Sequence, residues 1–228
     1  MMSIAQNAEP ASWIPPRLHP FAEDVGSIIP TGFAAYARVF HPPYRLTPDG
    51  REVPVRWRDI AAANGRTIAE EMMRLGISSD PTRFAPDGTE LWTQQTRTGS
   101  LPREVAERLA AILRHHTQTP DICWFGVWEG FGLLSLRQGD APMFTVPERD
   151  LFLLRGPIED VTTMAEVDWI YHSPNLWWPD DRAWCVATEI DFKWSYVGGS
   201  PDCIEQVLSD PELEAVTTSP DEGNAMEK

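Results

Sequence analysis

The chain has 228 residues, 42% apolar and 23% charged, with a formal charge of −15, which is ample material for a buried core. That balance excludes general binding to nucleic-acid backbones, which are held by Lys and Arg neutralising phosphates, and docking on an anionic membrane surface. The charge is uneven: residues 1–120 hold 13 Arg and 13 acidic residues, whereas residues 121–228 hold 6 basic and 21 acidic ones.

Residues 1–27 carry four prolines (Pro10, Pro15, Pro16, Pro20) within the first twenty positions and read as an irregular N-terminal arm. Phe33–His41 alternates as a strand and ends at Pro42-Pro43. Pro48-Asp49-Gly50 is a turn, and a helical stretch runs over 57–75, interrupted at Asn64-Gly65 and stopped at Gly76. Residues 76–100 show no period and read as a long loop. Ser100 to His116 is the clearest helix, with Ser100 as the N-cap and Val105, Leu109, Ile112 and Leu113 as one apolar stripe.

Ile122–Glu129 is apolar on both faces, as a central strand is. Arg149–Arg155 is a further strand, and Gly156-Pro157 opens a helix towards Val167. Residues 182–197 alternate as one long strand, Ser200–Ser209 is a short helix and Leu213–Val216 a last strand. Residues 217–228 have the composition of a disordered acidic tail. The expected architecture is α+β: a single domain over 28–216 with a mixed, largely antiparallel sheet, several helices and disordered termini.

Three cysteines (Cys123, Cys185, Cys203) show no C-x-x-C or metal-finger spacing. No basic-then-apolar leader is evident, and no apolar stretch approaches the ~20 residues of a membrane span. The expectation is a cytoplasmic protein without cofactor or metal. Only two of the 19 basic residues are Lys, which suggests coding in a G+C-rich bacterial genome.

The segment from Tyr171 to Arg182 joins a His, two tryptophans, two carboxylates and an Arg between prolines. Trp177 and Trp178, with Asp181 and Arg182, are the candidate contact residues, since indole rings offer stacking platforms for a sugar or another aromatic group. On the strand that follows, Glu189 and Asp191 share a face and stand ~7 Å apart, a spacing open to a shared metal or an acid/base pair as well as to a charge ladder with Lys193. His172 and Asp180 complete the candidate catalytic set. No G-x-S-x-G, H-E-x-x-H, Walker-type or G-x-G-x-x-G motif is present.

The segments 28–43, 113–132 and 173–200 resemble a group of uncharacterised proteins from G+C-rich bacteria, a resemblance that implies no activity. In size, charge and class the chain is also similar to acidic α+β immunity proteins that neutralise toxins. The leading expectation is a non-enzymatic binding or interaction protein, with an acidic, Trp-rich surface for a basic protein or a small aromatic or sugar-like ligand. Two alternatives stand beside it: a hydrolase-like small-molecule enzyme with its site on 171–193, and a ligand-binding fold without chemistry.

Overall fold

A computed structural model describes all residues except Met1, Ala22, 69–82, Arg97, 133–140, 165–170 and 224–228. The chain divides into two compact units, Met1–Phe40 with Thr98–Glu222 and His41–Arg97 with Gly223–Lys228, so the span 28–216 read as one domain crosses both. The class is α+β.

The first unit is built on a sheet of β1 (Ser3–Ile4), β2 (Ala35–Phe40), β5 (Cys123–Trp128), β6 (Met143–Val146), β7 (Arg149–Gly156), β8 (Leu176–Pro179), β9 (Cys185–Ala187), β10 (Trp194–Gly199) and β11 (Ala215–Thr218). Its order is β1-β7-β5-β8-β9-β10-β2-β11, with β6 also on β7, and every described pairing is antiparallel. β1 and β6 share one edge of β7, at Leu154–Arg155 and Arg149–Phe152 respectively, while β5 takes the other edge.

Both faces of the sheet are covered, which is why β5 is apolar throughout. On one face Ala37, Val39, Phe125, Val127, Trp177, Val186 and Val197 pack with α2 (Arg103–Leu113) and α3 (Pro201–Ser209). α2 buries Val105, Ala106, Leu109, Ala110, Ile112 and Leu113, the stripe that its period foretells. Its N-cap is Pro102, not Ser100: Ser100 is buried, and its hydroxyl lies 3.4 Å from His172 Nδ1. α3 starts as expected, with Ser200 accepting from Cys203 N and Pro201 in the first turn.

The second face is covered by the N-terminal arm, which is far from loose. Its prolines open 3-10 turns at Glu9–Ala11 and Pro15–Arg17, and these bring Trp13 against Trp178 and Phe33 at ring separations of 6.1 and 6.2 Å. Proline forbids a long helix there, yet a fixed-φ coil still buries Trp13, Ile14, Val25 and Ile29. The described start of the acidic tail is tied down as well: β11 runs on to Thr218, and Gly26 N and Val25 N donate to the carbonyls of Pro220 and Glu222, while 224–228 lie outside the described residues.

Residues 182–197 do not form one strand. They make a hairpin, β9 to β10, with Ala187 opposite Tyr196 and Val186 opposite Val197. The helix expected after Pro157 is a 3-10 turn, Ile158–Thr162, that ends at Thr163; residues 165–167 of the expected helix lie outside the described residues.

In the second unit, β3 (Tyr44–Leu46) and β4 (Glu52–Pro54) pair across the turn at Gly50, whose φ of +83° suits glycine. α1 (Trp57–Ala63) ends at Asn64-Gly65, as read from sequence; the rest of the helical stretch lies largely outside the described residues. Trp57 is buried and donates to the His41 carbonyl, which also accepts from Thr96 Oγ1.

Candidate functional site

The proposed contact tryptophans are core. Trp177 and Trp178 form β8 and are both 0% exposed. Trp177 meets Trp184 edge-on at 5.2 Å on the helix-covered face, and Trp178 meets Trp13 and Phe144 on the other. The helices cover Trp177 and the N-terminal arm covers Trp178, so neither ring has a free surface. Asp181 is exposed but spent locally: it accepts from Thr117 Oγ1, Gln118 N and Ala183 N, closing the corner after β8. Arg182 adopts a left-handed φ of +56° and lays its guanidinium over Trp13 at 5.7 Å.

The carboxylates Glu189 and Asp191 lie in the β9–β10 turn rather than on a strand face. Gly99 supports that turn: its N–H donates to Phe192 O, its φ is +76°, and a Cβ would fall 2.2 Å from Ile190 O. Both acids face Arg149, whose Nη2 lies 3.0 Å from Glu189 Oε1 and 3.8 Å from Asp191 Oδ2. The guanidinium also stands 5.6 Å from the Phe21 ring and 5.7 Å from that of Trp128. Burial outweighs this cation and pushes the Glu189 carboxyl above its ordinary range, while Arg149 pulls it back. A cation already occupies the space between the two acids, so they are a poor metal pair.

His172 stacks on Phe131 at 4.2 Å, and Phe131 meets Trp128 edge-on at 5.4 Å. His172, Glu189 and Asp191 therefore share the Trp128 end of β5. Asp180 belongs to the opposite end, where its N–H donates to Ile122 O and Oδ1 accepts from Trp124 Nε1. Six residues of extended chain between Ile122 and Trp128 span about 20 Å, so the four candidate catalytic groups do not converge.

The Asp180 end carries a different feature. Ser3, Arg155, Trp124 and Trp178 are cross-strand neighbours in one row, and a row places its side chains on one face of the sheet. A cleft of about 400 Å³ opens there. It is lined by Trp124, Arg155, Ile122 and Asp180 of the sheet end and by residues between Ser3 and Pro10 of the arm. Arg155 stands 5.8 Å from the Trp124 ring, and Ile4 is exposed.

Of the exposed carboxylates at this end of β5, Asp180 lines the cleft, while Glu159 is ion-paired with Arg114 on the helix-covered side. Burial first, then Glu159, Asp181, Asp121 and Asp180 in that order, raise the Cys123 thiol to about 12; all four acids are exposed. Across the described residues the first unit holds 22 acidic and nine basic residues, and the second five and six. Sequence reasoning missed Trp124 because it sits in a run of apolar residues. Its half-exposed state depends on Ser3–Pro10, a segment more than a hundred positions away.

Comparison with known families, with curated proteins and with solved structures gives no match. No described helix is long and apolar enough to cross a membrane.

Proposed function

We propose that this chain is a non-enzymatic binding protein that holds a basic partner protein on the acidic first unit, with the Trp124 cleft as anchor. One observation carries the reading: the described residues of the first unit hold 22 acidic against nine basic residues, and exposed Asp180 lies on the rim of an open cleft lined by Trp124. Such a rim steers a cationic partner, and the ring gives it a desolvated contact. Separation of His172 and Asp180 to opposite ends of β5 argues against the hydrolase-like alternative. The three free, buried cysteines accord with a reducing, cytoplasmic setting.

A second reading has its own support. A cleft lined by Gln6, Asn7, Asp180 and Trp124 also has the chemistry of a sugar-like site.

A fluorescently labelled Arg/Lys-rich peptide, titrated by anisotropy, tests the first reading. Binding is expected to weaken steeply with salt. The double variant Asp121→Asn, Asp180→Asn and the single variant Trp124→Ala are each expected to lose about tenfold in affinity, or about 1.4 kcal/mol. Equal binding by all three proteins would overturn it. Binding of an oligosaccharide panel, lost in Trp124→Ala, would favour the second reading.

A further inference from the structure

We infer that His19, Asp24 and Asp221 form a binding site for one divalent transition-metal ion, which ties the N-terminal arm to the C-terminal segment. Among the described residues these three alone place a histidine nitrogen and two carboxylate oxygens within 4.8 Å of one another. His19 Nδ1 lies 2.9 and 2.8 Å from the two oxygens of Asp24. These are the distances of a charge-assisted hydrogen bond, so the Nδ1 proton has to leave and the Asp24 carboxylate has to draw back before an ion enters between them.

Charge favours the same occupant. Two carboxylates on one imidazole leave a net negative charge even when the ring is protonated, whereas a neutral imidazole, two carboxylates and a divalent ion sum to zero. The imidazole selects the class: a nitrogen donor suits Zn2+ or Ni2+, while Ca2+, Mg2+ and Mn2+ favour oxygen ligands.

The ligands are held in place from several directions. His19 N–H donates to Gly26 O and closes the loop that carries both His19 and Asp24. The His19 ring lies flush on Gly26, where a Cβ would come within 2.6 Å of Nδ1. Ser27 N donates to Asp24 Oδ1 at 3.1 Å and orients that carboxylate from behind. Asp221 is delivered by its neighbours, since Gly26 N bonds Pro220 O and Val25 N bonds Glu222 O. No metal motif is visible in the sequence because two ligands are five residues apart and the third lies almost two hundred further on.

The test uses the full chain, stripped with EDTA and titrated calorimetrically with ZnCl2 and with NiCl2. One ion per chain is expected, with no titration by Ca2+ or Mg2+. Asp221→Asn is expected to weaken binding at least about tenfold, and His19→Gln to abolish it. Asp221 is exposed, so its variant keeps the fold and decides the matter even if His19→Gln does not fold. Absence of binding by the wild-type chain would overturn the site, as would unchanged affinity in Asp221→Asn.

Discussion

Trp177→Ala is expected to destabilise the protein by about 3–5 kcal/mol, the range for deleting a buried tryptophan ring, and to lower Tm by roughly 6–20 °C. The ring is fully buried, packs edge-on against Trp184, and belongs to the cluster that joins β5, β8 and β9 to α2 and α3. Trp177→Phe separates packing from polarity. The indole Nε1 is buried without a hydrogen-bond partner, a penalty of about 1–3 kcal/mol that phenylalanine does not carry. The Phe variant is therefore expected to lose less than half as much as the Ala variant in parallel thermal melts. A wild-type Tm for Trp177→Ala would show that the ring is not core. Equal losses in the two variants would show that the orphan N–H costs nothing.

That prediction inverts the functional value first attached to Trp177, and the reason is physical. Aromatic richness on a Pro-bounded segment reads equally as a platform or as packing, and only the layers that cover each face of β8 decide. β2, β5 and α2 were legible because each needs a periodicity that lies wholly within its own residues. The β9–β10 hairpin was not. Alternation from Trp184 to Tyr196 runs on without a Gly, Pro or Asn to mark a turn.

Register hides the break further. Ala187 faces Tyr196 and Val186 faces Val197, so even positions before the turn share a face with odd positions after it. Glu189 and Asp191 thereby move from a strand face to a turn, beside an Arg149 that no local spacing connects to them. The Trp124 cleft escapes sequence reading for a related reason. Much of its lining comes from an arm whose prolines look like disorder and whose packing is tertiary.

Arg149→Met is expected to cost about 3 kcal/mol near neutral pH, the lower end for breaking a buried ion pair, because Arg149 and Glu189 each keep 18% exposure. The size of the loss should depend on pH, and its sign follows from Glu189. That carboxyl lies above its ordinary value of 4.5 in the folded protein because burial outweighs the neighbouring cation. The folded state therefore binds its proton more tightly than the unfolded chain does. Stability falls as pH rises from the ordinary carboxylate value through the raised folded one, and nothing is lost below both. Removing Arg149 takes away the main influence holding the carboxyl down and leaves Asp191 pushing it up, so the penalty grows and persists to higher pH. In denaturant melts, the gap between wild type and Arg149→Met is expected to narrow markedly from about pH 8 to about pH 5. Adding Glu189→Gln to Arg149→Met is expected to recover most of the loss near neutral pH, since the second change removes the stranded charge. A gap that is constant with pH, with no recovery in the double variant, would assign the role of Arg149 to packing of its stem and guanidinium on Phe21 and Trp128. The acidic turn would then be an effect of the arginine's placement, and the aromatic floor beneath it the cause.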